Sequence, residues 1–141
     1  MTIDNTIRWT SISTAIGTVV IVVGSRGVLR IWLRSDNPER DAHRAAPTAV
    51  RDDAGLTPIA RALRDLIDGK RSDFPYPLDI SRGTPFQRAV WAELRGIPYG
   101  SAVTYGELAR RIGKSNAARA IGQAVGANPL PVVIPCHRVL A

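Results

Sequence analysis

Sulfur and imidazole are almost missing from this sequence. Its 141 residues include one cysteine (Cys136), one methionine and two histidines, His43 and His137. A single thiol excludes an internal disulfide framework and any cysteine-rich zinc site, and two histidines are too few for a structural metal. No metal and no cofactor is therefore expected. Long apolar runs are lacking too. The longest, Ile16 to Val23, is broken by Gly17 and Thr18 and followed by Arg26, Arg30 and Arg34, so it is too short to span a bilayer. With no signal-peptide pattern at Met1, a cytoplasmic protein without membrane contact is expected. What is present is ordinary for a folded chain: 45% hydrophobic and 22% charged residues, 12 Gly and 10 Pro exclude wholesale disorder, collagen and coiled coil.

The charge is uneven. Lys and Arg number 19 against 12 Asp and Glu, a formal net charge of +7. Residues 81–141 carry Arg82, Arg88, Arg95, Arg110, Arg111, Lys114, Arg119 and Arg138 against Glu93 and Glu107 alone, which leaves +6 in that stretch. Basicity gathered in one part of a chain suits a polyanion such as nucleic acid, although a solubilising surface gives the same arithmetic.

Two halves are predicted, 1–79 and 80–141. In the first, β-branched runs Ile7–Ile12, Thr18–Val23 and Val28–Leu33, separated by turn residues, predict an antiparallel three-stranded meander. Ser35 to Gly55, polar and of mixed charge, reads as a surface connection. Thr57-Pro58 opens a helix with Ile59, Leu63, Leu66 and Ile67 as its apolar stripe and Gly69 as its end. Asp73 to Gly83 reads as an extended linker.

In the second half Thr84 is placed to cap a helix that starts at Pro85 and buries Phe86, Ala89, Val90, Trp91 and Leu94. After the turn Pro98-Tyr99-Gly100, a helix from Tyr105 to Ile112, the break Gly113-Lys114-Ser115 and a helix from Asn116 to about Val125 form a helix-turn-helix pattern. The last helix is built of small residues. Ile121 and Val125 mark its packed side, and Arg119 lies opposite, about 200° away. Such a surface suits close packing against another helix or close approach to a DNA groove.

The final segment runs through a short apolar strand, Val132–Ile134, to Pro135, where regular pairing must stop. Cys136 follows, beside His137 and Arg138, a cationic neighbourhood that favours a thiolate. On these residues alone an inert buried thiol is the better supported reading, because neighbouring side chains in extended chain point to opposite sides.

Pro135-Cys136-His137-Arg138-Val139 resembles the active-site motif of the O6-alkylguanine-DNA alkyltransferases, or methylated-DNA–protein-cysteine methyltransferases. Three further motifs agree in order and spacing. Gly83 to Trp91 resembles the family's entry into its DNA-binding domain, and Thr104 to Ala109 the first helix of its helix-turn-helix. Ala117 to Gly122 resembles the recognition helix, with Gly126 to Pro129 as the turn that leads to the cysteine. The likeness is close from about Ile80 and weaker in residues 1–79.

The resemblance implies an α+β fold: a small ribonuclease-H-like antiparallel sheet with a helix, then a helical winged-helix-like DNA-binding domain. It implies a monomer that acts on double-stranded DNA containing O6-alkylguanine. Cys136 would accept the alkyl group once and irreversibly, and His137 would belong to the relay that removes the thiol proton. Tyr105 would press on the phosphate beside the target and supply a proton to the leaving guanine. Arg119 would fill the stack of the flipped nucleotide, with Ala118, Ala120 and Gly122 on the DNA-facing surface. Asn128 would hold the hinge between recognition helix and cysteine, and the Val139 carbonyl would read the base.

The family continues past this point with a Gly-rich loop and a helix that supplies a Glu to the histidine, whereas this sequence stops at Ala141. A truncated chain is thus expected, with Phe86, Val90 and Trp91 partly uncovered, a marginal fold and little transfer. A lesion-binding relative without transfer activity, or an inactive remnant, is the alternative, although Cys136 favours transfer. A helix-turn-helix regulator would need long polar side chains at Ala117, Ala118, Ala120 and Gly122. A cysteine peptidase is least supported, since no His or Asn/Asp partner elsewhere comes with a visible pocket.

Overall fold

A computed structural model describes residues 6–98, 100–114 and 116–140, and of His137 the backbone alone. Tyr99, named in a turn above, and Ser115, named in a break, lie outside the described residues. The chain divides into two compact units, Met1–Asp79 and Ile80–Ala141. The α+β class holds: a sheet rich in antiparallel pairs in the first unit, helices in the second.

In the first unit β1 (Arg8–Thr14), β2 (Gly17–Gly24) and β3 (Gly27–Trp32) form the antiparallel meander that the β-branched runs predict, joined by two-residue turns. The unbroken run of valines and isoleucine from Val19 to Val23 leaves both faces of β2 apolar. Val20 and Val22 pack with Trp9 and Leu29 against Ala42 of α1 (Pro38–Ala45) and Ala46, the residue that follows the helix. The opposite face carries Val19, Ile21 and Thr10, on the side where α2 (Thr57–Ile67) packs on β1 and buries Ala60 and Leu63. One sheet is thus covered by a helix on each side.

Several expectations need correction. Ser35 to Gly55 is not a plain connection. It folds into α1, capped by the Asn37 side chain on the Arg40 amide at 3.1 Å, and β4 (Val50–Arg51), which adds to β1 in parallel. The buried stripe of α2 is made by Ala60, Ala62 and Leu63, while Ile59, Leu66 and Ile67 are half-buried. Leu56, just before the helix, is fully buried as well. The stretch before Gly83 is extended but docked. The Val28 amide donates to the Pro77 carbonyl and the Asp79 amide to the Val28 carbonyl, both at 2.9 Å, and Phe74 is buried.

In the second unit α3 (Pro85–Arg95), α4 (Tyr105–Ile112) and α5 (Ala118–Gly126) pack on one another. Thr84 and Gln87 form a reciprocal capping box: the Gln87 amide donates to Thr84 Oγ1 at 3.1 Å and the Thr84 amide to Gln87 Oε1 at 3.0 Å. Val90, Trp91 and Leu94 are buried and Phe86 is half-buried, but Ala89 is exposed. The uncovering expected of Val90 and Trp91 does not occur, because Leu108, Ile121, Ala124 and Leu130 share their core. Gly113, at φ 78°, ends α4 in the left-handed region and sends the chain into α5. A two-stranded parallel ladder, β5 (Val103–Thr104) with β6 (Val139–Leu140), completes the unit. Among the described residues no helix is long and apolar enough to cross a membrane.

Candidate active site

Cys136 opens a single 3-10 turn, Cys136–Arg138, and is a free, half-buried thiol. The turn exists because Pro135 cannot continue a ladder. The Cys136 amide donates back to the Ile134 carbonyl at 2.8 Å and the Arg138 amide to the Pro135 carbonyl at 3.1 Å. Val132–Ile134, predicted as a strand, is instead an irregular loop with only a bridge between Pro131 and Ile134. Val132 sits at φ 77°, which a β-branched residue rarely adopts, and prolines on both sides of Val132–Ile134 restrict the chain further.

Asn128 braces this loop from the end of α5. Its Nδ2 donates to the Ile134 carbonyl at 2.8 Å and its Oδ1 accepts the Leu130 amide at 2.9 Å. One side chain thereby ties the last turn of the helix to the residue two before the thiol. Below it, Trp91 donates its indole N–H to the Ala124 carbonyl at 2.8 Å and so caps the end of α5 from α3. Gly83 lies flat against that indole, and a β-carbon there would overlap the ring. These two contacts were not singled out from the sequence, although the Gly-Thr-Pro start before a tryptophan was their visible trace.

Leaving the cysteine turn, the chain enters β6. Val139 pairs with Val103 and Leu140 with Thr104, and Tyr105 is the first residue of α4. Thr104 caps that helix, accepting the Glu107 amide at 3.0 Å. The ladder therefore brings the Cys136–Val139 segment next to Thr104 and the start of α4 at Tyr105, some thirty residues earlier in the chain. Ala118, Arg119 and Ala120 are exposed on α5, while Ile121 and Val125 are buried as their spacing predicts. Gly122 is half-buried, yet open space lies where a β-carbon would stand. α5 begins at Ala118, two residues later than predicted, because nothing before it supplies a side-chain cap. The side chain of His137, expected in the proton relay, lies outside the described residues.

Among the described residues no three His, Cys, Asp or Glu come together as a metal site. Two open clefts of about 330 and 320 Å³ lie in the first unit, lined by Trp9, His43 and Arg51 and by Thr10, Asp53 and Arg64 among others. Neither is lined by a residue named above for the chemistry. Near the second cleft, Arg8 donates to Asp52 at 2.7 Å and Thr10 to Asp53 at 2.6 Å. The Arg8 and Thr10 hydrogen bonds are the main causes that hold these two carboxyls below the usual range.

Residues 85–141 match the family model described as the DNA-binding domain of 6-O-methylguanine DNA methyltransferase. The constitutive methylated-DNA–protein-cysteine methyltransferase of Bacillus subtilis (strain 168) is 33% identical over 132 residues, covering 94% of this chain and 79% of that protein. The inducible enzyme of the same organism is 45% identical over 91 residues, which are 64% of this chain but only 50% of its own length. A crystal structure of the Mycobacterium tuberculosis O6-methylguanine methyltransferase superposes with a TM-score of 0.81 at 31% identity, covering 96% of this chain and 79% of that one. A structure of the M. tuberculosis protein in complex with DNA gives 0.79 at 32% identity, covering 95% and 78%. With the cysteine turn, its asparagine brace and the helix-turn-helix in one unit, and a relative that matches nearly the whole of this chain, the chain belongs to the methylated-DNA–protein-cysteine methyltransferase family.

Proposed function

We propose that this protein repairs double-stranded DNA by moving the alkyl group of O6-alkylguanine onto its own Cys136, once per molecule. The observation that carries this reading is the β5–β6 register, which puts the half-exposed thiol's turn next to the start of the helix-turn-helix. In the transfer, the sulfur of Cys136 forms a bond to the alkyl carbon as the carbon–O6 bond breaks. The bonding pair leaves with the purine, and the proton given up by the thiol ends on the guanine. His137 conducts the thiol proton away, and Tyr105 donates its own proton at the departing base. The proton carried off through His137 makes good the one Tyr105 gave, so that in net one proton passes from thiol to guanine. The product is a thioether, which no neighbouring group hydrolyses, so the protein is consumed.

The base has to leave the helix to meet Cys136, at a cost of a few kcal/mol. Arg119 fills the gap from an α5 surface whose Ala118, Ala120 and Gly122 allow close approach to the groove. Asn128 holds the hinge, and the Val139 carbonyl, at the start of β6, accepts from the guanine's exocyclic amine. The two units act as the domains 1–79 and 80–141, and the protein works as a cytoplasmic monomer without a cofactor.

The test is mass spectrometry after incubation with duplex DNA that carries O6-methylguanine. One added methyl on the peptide containing Cys136, absent in Cys136→Ser, is the expected result. A methyl elsewhere, or binding without transfer, overturns the reading.

A further inference from the structure

Arg138 is the last residue of the turn that begins at Cys136. A cation two positions from a thiol is expected to act through its charge. The structure also gives it a mechanical connection: Nη1 donates to the main-chain carbonyl of Ile97 at 2.7 Å. Ile97 is buried just past the C-terminus of α3, where the amides of Gly96 and Ile97 turn back onto Glu93 and Leu94. Carbonyls at such an end need a donor from outside the helix, and a guanidinium there is doubly favoured, as donor and as cation.

The turn is short, and the amides of Cys136 and Arg138 donate to its immediate neighbours, Ile134 and Pro135. Asn128 secures the residues before it and the Val103 pairing secures those after it. The Arg138 guanidinium ties the turn itself to α3. We infer that Arg138 is a positioning residue for alkyl transfer, holding the Cys136 turn on the end of α3 so that the thiol keeps its place beside the β5–α4 junction. The inference rests on the transfer reading above. Lysine substitutes poorly here, because its ammonium lacks the planar fork that keeps a guanidinium aligned on one carbonyl.

The experiment compares the 141-residue chain with Arg138→Met and Arg138→Lys. Hydrogen exchange at the Val139 and Leu140 amides should speed up at least about tenfold in Arg138→Met, and less in Arg138→Lys, with the sheet of the first unit unchanged. Methyl transfer from duplex DNA should slow by about 10- to 100-fold in Arg138→Met, since small misplacements of a reacting atom carry losses of that order. The pH midpoint for alkylation of Cys136 by iodoacetamide should stay where it is in the unaltered chain. Unchanged exchange overturns the positioning role whatever the chemistry does. A midpoint shifted enough to explain the slower transfer, and restored in Arg138→Lys, overturns it in favour of charge. An unaltered chain that alkylates with iodoacetamide but takes no methyl from DNA defeats the transfer reading alone, and the exchange result still judges the tie. If Arg138→Met does not fold, Arg138→Lys is read by the same measurements, and wild-type values there overturn the inference.

Discussion

Asn128 spends both ends of its amide inside the second unit, on the Ile134 carbonyl and the Leu130 amide. Replacing it with alanine strands a donor and an acceptor that are partly removed from water. The expected loss is about 1–3 kcal/mol in urea-induced unfolding, as for other half-satisfied internal polar groups. Asn128→Asp should retain the bond from the Leu130 amide but set a carboxylate oxygen against the Ile134 carbonyl, so its loss should be at least as large. Arg119 poses the opposite case, since it is exposed and its removal should leave stability unchanged. Arg119→Ala should slow transfer from duplex DNA by about 10- to 100-fold if the residue offsets a few kcal/mol of base extrusion. Reaction with free O6-benzylguanine, which needs no extrusion, should proceed at the wild-type rate. Equal losses on both substrates would assign Arg119 to the architecture of the unit.

Among the helices, α5 combines an unusual composition with an unusual freedom. A β-carbon at Gly122 would meet nothing, so nothing in the packing requires glycine there. Gly122→Ala should therefore raise thermal stability, by up to about 1 kcal/mol from helix propensity, yet weaken binding to duplex DNA. If binding is unaffected, that face of α5 is not the one that approaches the groove. The capping box at α3 is simpler: Thr84→Ala should lower the unfolding free energy by about 1 kcal/mol. The cap at Thr84, the break at Gly113 and the β-branched runs of β1 to β3 could all be read from the sequence, because each depends on residues adjacent in the chain. α1 could not. Its buried face consists of Ala42 with Asp41, so it offers no large apolar periodicity, and Asn37-Pro38 was the one signal of its start. β4 is two residues long and owes its existence to β1, which no local pattern reveals. Val132 to Ile134 misled for a related reason: three β-branched residues look like a strand, but the flanking prolines forbid it and leave Val132 in a strained conformation. Of the candidate site, the residues and their order were legible in the motifs, whereas the ties from Trp91 to Ala124 and from Arg138 to Ile97 join distant segments and needed coordinates.

Taken whole, the molecule carries its excess charge in residues 81–141, the part that holds the helix-turn-helix. Affinity for undamaged duplex should fall linearly on a double-logarithmic plot against salt, with a slope of about −0.9 for each phosphate neutralised. A flat plot would remove DNA from the account. The first unit has its own electrostatic signature in Asp52 and Asp53, whose carboxyls lie below the usual range and clasp β4 to β1. A lowered carboxyl stabilises the fold above its unfolded value of about 3.9 and loses that contribution as pH falls through the folded value. Urea midpoints should drop below about pH 4, less steeply in Asp53→Asn, and only slightly in either case because exposed pairs are screened. The β5–β6 ladder has a kinetic corollary. Val103 and Val139 should pair after the two helices between them have folded up, since closing that loop while it is slack has an entropic cost. On refolding, the helices come first and the nucleophile is seated last, so Val139→Ala should speed unfolding and leave the folding rate nearly untouched. Each newly made chain would thus be able to hold DNA for an interval before it can react with it.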